Sequence, residues 1–221
     1  MTDAREITRQ NILDTDIYCL TAAKFSCGRS NLDVVRAMLD SGIRLIQYRE
    51  KEMKMGRKYE ECCEIRAMTR DAGAAFIVND DIDLAMLVGA DGVHIGQEDL
   101  PVEAVRRLVG KNMAIGLSTH APEEAHDAVK RGADYIGVGP IFRTFTKDDV
   151  VDPVGFEYLD YVVGNVDIPF VAIGGIKKHN VAEVVQRGAK CVALVTEIVE
   201  AEDIGKKIGE LRAVMQGAKE K

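Results

Sequence analysis

The sequence predicts an α/β fold of the (β/α)8 TIM-barrel type in a single domain over residues 1–221, and three observations carry that expectation. Apolar runs alternate with amphipathic stretches along the whole chain. The apolar runs are near-continuous, as strands of a parallel sheet covered by helices on one side and a packed core on the other require. Eight such units in 221 residues fall at the lower end of the size range of this barrel, which starts at about 200 residues and leaves little room for a second domain. An open doubly wound sheet is the main rival, but the segment after the first apolar run reads TAAKFSCGRS and lacks the G-x-G-x-x-G turn.

The elements follow in order. Residues 1–15 are charged and read as a short helical extension. The first strand is IYCLT at 17–21. A recurring phrase then joins helix to strand: SGIRLIQY at 41–48, AGAAFIVN at 72–79, GADGVHIG at 89–96, RGADYIGVG at 131–139 and RGAKCVALV at 187–195. Its Gly closes a helix in a left-handed turn, and the apolar run after it is the next strand. Strands without this lead-in are MAIGL at 113–117 and PFVAI at 169–173, which brings the count to eight. Helical patterns occupy 29–41, 56–72, 81–88, 101–109, 121–131, 155–163, 178–187 and 203–216, and no linker or low-complexity segment marks a boundary.

Composition narrows the function. Lys and Arg number 29 against 36 Asp and Glu, a net charge of -7, which argues against nucleic-acid or membrane-surface binding. No apolar segment is long enough to span a membrane or resembles a signal peptide, so a cytoplasmic protein is expected. Five cysteines without a C-x-x-C pair suit neither zinc nor a disulfide framework. Cys19 and Cys191 sit in apolar runs as small hydrophobes, whereas Cys62 and Cys63, adjacent on one helix, cannot both face the core.

In such a barrel the active site lies beyond the C-terminal strand ends, and those ends here are polar: Gln47-Tyr48-Arg49-Glu50-Lys51, Asn79-Asp80-Asp81, His94 to Asp99, Ser118-Thr119-His120, the GPIFRTFTKDD segment, Gly174-Gly175 and Thr196-Glu197. Arg49 and Lys51, two apart on an extended chain, point the same way, and Lys147 sits on a loop able to reach across the mouth; together they suit an oxyanion. Asp80 and Asp99 follow neighbouring strands beside these cations. They suit Mg²⁺ shared with substrate phosphate, or equally the capping of the helices that begin there. Gly174-Gly175 and Thr196 follow strands seven and eight, where phosphate sites are commonly built in this fold. Gln47 and Ser118 suit a polar heterocycle or are ordinary strand-end residues. His126 and His179 fit packed or hydrogen-bonded roles, and no Ser-His pair or catalytic Cys is evident. The long, charged loop from Phe142 to Val154 reads as a lid.

With these residues in place, the chain from Tyr18 to Ile198 resembles the thiamine phosphate synthase family, through QYREK, IVNDD, GADGVHIGQEDLP, IGLSTH, GADYIGVGPIF-x-T-x-TK and VAIGGI in that order. The resemblance implies an enzyme that joins 4-amino-2-methyl-5-hydroxymethylpyrimidine diphosphate to a thiazole phosphate with Mg²⁺, by loss of diphosphate before capture of the pyrimidine cation. It gives Arg49, Lys51, Asn79 and Lys147 to the diphosphate, with Arg49, Lys51, Lys147 and Ser118 as the catalytic group, and Asp80 and Asp99 to Mg²⁺. It gives Gln47, Ser118, Tyr18 and His94 to the pyrimidine, and Thr144, Thr146, Gly175 and Thr196 to the thiazole phosphate. Arg143 stands where the family commonly has Pro, and Thr196 where Ser is frequent. Partners are then small molecules, with room left for a homo-oligomer. The alternative is a related barrel that binds or isomerises thiazole phosphate, or a non-catalytic sensor; it would have no use for Arg49, Asp80, Asp99 and Lys147 together.

Overall fold

The computed structural model describes residues 4–146 and 152–220. Eight parallel strands close into a barrel in sequence order: β1 (Ile17–Leu20), β2 (Leu45–Tyr48), β3 (Ala75–Asn79), β4 (Gly92–Ile95), β5 (Ala114–Thr119), β6 (Tyr135–Val138), β7 (Phe170–Ala172) and β8 (Val192–Leu194), with β8 pairing back to β1. Around it run α2 (Asn31–Asp40), α3 (Met55–Asp71), α4 (Ile82–Val88), α5 (Val102–Val109), α6 (Pro122–Arg131), α7 (Gly155–Asn165), α8 (Val181–Gln186) and α10 (Ile204–Lys219). The N-terminal extension is α1 (Ala4–Asp14), and its Ile12 packs into the interior cluster of the barrel.

The Gly joints form as expected. α4 and α6 end at Gly89 and Gly132, both in the left-handed conformation that costs Gly little. Two short elements escaped the sequence reading: a 3-10 turn at Ala23–Phe25 after β1, and α9 (Thr196–Val199) after β8. Both are too short for helical periodicity to register. The expected strand at 113–117 extends through Thr119, so Ser118 belongs to the sheet instead of following it.

The core is divided by the two-residue period of the strands. Ile17, Cys19, Ile46, Tyr48, Phe76 and Val78 point outward and join the larger cluster under the helices. Tyr18, Leu20, Leu45, Ala75, Ile77, Tyr135, Val171 and Ala193 fill the interior. Acidic residues at the opening of several strands are tied down at the end opposite the polar rim: Asp91 receives both Arg66 guanidinium nitrogens at 2.7 and 2.9 Å, and Asp134 is gripped by Arg5 and Arg106. Cys62 is buried and Cys63 exposed, as adjacent positions on one helix dictate. Among the described residues, no helix is long and apolar enough to cross a membrane.

Candidate active site

A cavity of about 700 Å³ opens at the C-terminal ends of the strands, within the roughly 300–1,000 Å³ of small-molecule sites. Strand alternation builds its floor, because Tyr18, Gln47, Asn79, His94 and Ser118 hold inward positions. All five line the cavity, together with Arg49, Thr144, Thr146, Gly175 and Thr196. Lys51, Asp80 and Asp99 are not among the lining residues, and Lys147 lies outside the described residues.

The floor is one hydrogen-bonded chain. Gln47 Nε2 donates to Tyr18 Oη at 2.9 Å, Tyr18 Oη meets Tyr135 Oη at 3.2 Å, Tyr135 Oη meets His94 Nδ1 at 3.0 Å, and His94 Nε2 meets Ser118 Oγ at 3.0 Å. Burial pushes the Tyr18 and Tyr135 hydroxyls well above the ordinary tyrosine value, so both stay protonated at neutral pH. Proton counting then leaves two self-consistent polarities. In one, each hydroxyl donates toward Ser118, His94 carries its proton on Nε2, and Ser118 offers its hydroxyl proton to the cavity. In the other, Ser118 donates to His94, the direction reverses, and Ser118 accepts from a ligand while Tyr18 keeps a proton to offer. Ser118 can thus present either a donor or an acceptor to the cavity.

Ser118 and His94 are therefore hydrogen-bonded, a pairing that was not evident in the sequence. The two are far apart in sequence and meet only because Asn79↔His94, His94↔Gly116 and Ser118↔Gly137 stand in register. The second His94 nitrogen meets the neutral Tyr135 hydroxyl at 3.0 Å, where a serine nucleophile's base would face a carboxylate. Tyr135, which the sequence reading did not single out, links the two halves of the floor. Its signal was Gly116: a Cβ there would stand 2.2 Å from Tyr135 Cζ and 2.5 Å from His94 Nδ1.

The rim separates the expected cations. Arg49 is buried and lines the cavity, and its backbone N–H donates to Thr21 Oγ1 at 2.9 Å. β2 ends at Tyr48, so alternation no longer holds at Lys51, which is exposed and pairs with Asp80 Oδ2 at 3.7 Å. Asp80 itself is left-handed, at φ 61°. Neither acid caps a helix: Asp81 precedes α4 and Pro101 precedes α5. Asp81 instead takes the buried Lys58 ammonium at 2.7 Å. Asp99 is exposed and accepts the Gly96 N–H at 2.6 Å. No group of three or more acidic, His or Cys side chains suited to a metal occurs among the described residues.

The opposite side of the mouth is built from β7 and β8. Gly175 turns at φ 64°, and a Cβ there would lie 2.5 Å from the Arg143 carbonyl oxygen, so the absence of a side chain lets this turn pack against the segment carrying Thr144. Thr144 and Thr146 hydroxyls meet at 3.2 Å. Thr196 opens α9 and receives Lys177 Nζ at 2.8 Å. Lys177, His179, Asn180, Arg143 and His120 also line the cavity; the sequence reading singles out neither Lys177 nor Asn180 and gives none of the five a place in the cavity. His179, expected to be packed or hydrogen-bonded, is exposed at the cavity mouth and so is not packed. His126 does follow that expectation, bonding Tyr161 Oη at 2.9 Å.

An eight-stranded parallel barrel with a polar floor, a buried cation on one side and hydroxyl and glycine groups after strands seven and eight defines a class: a (β/α)8 enzyme for small anionic substrates. The sequence model of the thiamine monophosphate synthase family matches residues 17–198, and the chain belongs to that family. It is similar to the thiamine-phosphate synthase of Pelotomaculum thermopropionicum, with 64% identity over 92% of this chain and 94% of that one. The corresponding protein of Caldicellulosiruptor saccharolyticus is 53% identical over 96% of each chain. Among solved structures, thiamine phosphate pyrophosphorylase from Pyrococcus furiosus superposes with a TM-score of 0.85 at 36% identity, covering 96% of this chain and 98% of that one.

Proposed function

We propose that the protein is a transferase of the cytoplasm that joins 4-amino-2-methyl-5-hydroxymethylpyrimidine diphosphate to a thiazole phosphate, giving thiamine phosphate and diphosphate. The observation that carries this reading is the single cavity shared by the Gln47-to-Ser118 floor, Arg49 and the Gly175–Thr196 side, set beside relatives of that name over nearly the whole chain.

The bond between the pyrimidine methylene and the diphosphate oxygen breaks, and the thiazole nitrogen forms the new bond to that carbon. Gln47 and Ser118 fix the pyrimidine ring, the floor adjusting its polarity to the amino group and ring nitrogens. Arg49, with Lys51, Asn79 and Lys147, stabilises the charge that gathers on the departing diphosphate. Thr144, Thr146, Gly175 and Thr196 hold the thiazole phosphate so that its nitrogen faces the carbon being vacated, the positioning such a step requires. No protein nucleophile is called for: burial holds the Cys19 and Cys191 thiols far above their ordinary range, hence neutral, and the histidine beside Ser118 is bonded through its other nitrogen to the Tyr135 hydroxyl.

Two hard carboxylates, Asp80 and Asp99, follow adjacent strands, and this donor set fits Mg²⁺, which takes one or two carboxylates and completes its shell with phosphate oxygens and water. Bound there, Mg²⁺ would neutralise diphosphate charge. Asp80, on a left-handed backbone, has its Oδ2 at 3.7 Å from the Lys51 ammonium, so a metal there would share this carboxylate with Lys51. The test is the purified protein mixed with both substrates, with and without Mg²⁺, following diphosphate and thiamine phosphate together. Equal release of the two supports the reading. Isomerisation or binding of thiazole phosphate without diphosphate release would sink it in favour of the related non-condensing barrel.

A further inference from the structure

We infer that Lys177 is the substrate-binding cation of the β7–β8 side and sets the preference for a phosphorylated thiazole over its unphosphorylated alcohol; the inference rests on the proposed location of the thiazole phosphate at Gly175 and Thr196. Lys177 follows the Gly174-Gly175 turn and lines the same cavity. Its ammonium lies 2.8 Å from Thr196 Oγ1, and its side chain is one-third exposed at the boundary between protein and cavity.

Geometry and charge both single it out. Its backbone is fixed, because the Lys177 main-chain N–H donates to Asn180 Oδ1 at 2.7 Å while Asn180 Nδ2 donates to the Gly175 carbonyl at 3.1 Å. One side chain thereby clasps both ends of the turn. The carboxylate nearby, Glu197, is shared between two ammonium groups: its Oε1 takes Lys207 Nζ at 3.1 Å and its Oε2 takes Lys177 Nζ at 3.6 Å. The Lys177 charge is thus only partly met by Glu197.

Hydrogen-bond chemistry completes the case. By donating to Thr196 Oγ1, the ammonium fills an acceptor position and turns the hydroxyl proton outward, so the pair presents a hydroxyl donor beside remaining N–H donors. That is a phosphate-binding arrangement, and the bonds to phosphate are charge-assisted. Arg143, a further cation on this side, stands over the exposed Phe145 ring at 5.6 Å.

The test is calorimetric titration of the full-length protein with thiazole phosphate, its alcohol and pyrimidine diphosphate, for wild type, Lys177→Met and Lys177→Arg. Lys177→Met should weaken thiazole phosphate tenfold or more, leave the alcohol and pyrimidine diphosphate within about twofold, and lose the preference for the phosphorylated ligand; Lys177→Arg should recover most of the affinity. Unchanged thiazole phosphate affinity in Lys177→Met, equal weakening of all three ligands, or a wild type that does not bind thiazole phosphate would each overturn the assignment. A wild type that binds thiazole phosphate through Lys177 yet releases no diphosphate would defeat the synthase reading and leave this inference standing.

Discussion

Removing one oxygen atom, in Tyr135→Phe, tests whether the cavity floor acts as a connected chain. The ring should stay where it is, because it lies fully buried in the slot opened by Gly116. Two contacts disappear, to Tyr18 Oη at 3.2 Å and to His94 Nδ1 at 3.0 Å. Tyr18 keeps Gln47 and His94 keeps Ser118, so neither is stripped of every partner, but one hydrogen-bonding position on each is left unmet in a poorly hydrated setting. A buried group left so costs about 1–3 kcal/mol, which for a chain of this size lowers the melting temperature by roughly 2–4 °C per kcal/mol. The functional consequence is separable: with the chain cut, His94 no longer senses Tyr18, and Ser118 loses its enforced polarity. The apparent KM for pyrimidine diphosphate should rise several-fold while that for thiazole phosphate stays near wild type. Thermal unfolding and separate titration of the two substrates provide the check. A variant with unchanged melting temperature and unchanged KM for both would show that the four contacts are independent neighbours. Gly116→Ala is the complementary test, since a Cβ 2.2 Å from Tyr135 Cζ must displace the ring itself.

Three further outcomes are expected. Asp80→Asn, chosen because Asn tolerates the left-handed backbone at φ 61°, should require about tenfold more Mg²⁺ for half-maximal activity with little change in melting temperature; superimposable Mg²⁺ activation curves would remove Asp80 from the metal site. Burial raises the Glu50 carboxyl above its ordinary value of 4.5, with neighbouring Glu61 adding to the rise against the hydrogen bond from the Ala23 N–H. A carboxyl raised in the folded state contributes stability that is complete at low pH and lost as pH climbs through the folded value, so the stability of Glu50→Gln relative to wild type, from urea unfolding, should grow as pH rises above about 4.5; a difference that is flat or falling with pH contradicts this. Gly175→Ala should lose about 1 kcal/mol or more to its left-handed backbone and raise the thiazole phosphate KM about tenfold; wild-type values in both assays would show that the turn is not constrained as described.

The barrel was legible because its signals are local. A Gly that ends a helix and an apolar run that follows it sit side by side in sequence, and five repetitions with three further runs are enough to count strands. Strand ends were less legible. Alternation holds only while the chain is extended, so the expectation that Arg49 and Lys51 point the same way failed at Lys51, beyond the end of β2. Helix starts misled in a similar way: Asp80 and Asp99 both precede helices, but the backbone places Asp81 and Pro101 at the first turns.

The site was legible only where a residue type announces its chemistry at a strand end. Arg49, Asn79 and Ser118 do so; Tyr135 does not, because it opens β6 and reads as an aromatic core residue. Its polar role follows from a partner on each side, and those partners arrive from β1 and β4 through barrel closure. Lys177 was hidden differently. In sequence it is one of two adjacent lysines in GGIKKHN, and a lysine pair in a loop is ordinarily solvated surface. The fold divides the pair: Lys178 reaches outward to Glu210 at 3.0 Å, while Lys177 turns to Thr196 and the cavity. What separates them is the Asn180 clasp on the turn, a contact between residues near in sequence whose meaning depends on Thr196 arriving from the next strand. Positions of this kind, chemically ordinary in the chain and polarised by closure of the barrel, are where variation within one family can change substrate preference without disturbing the motifs that identify the fold.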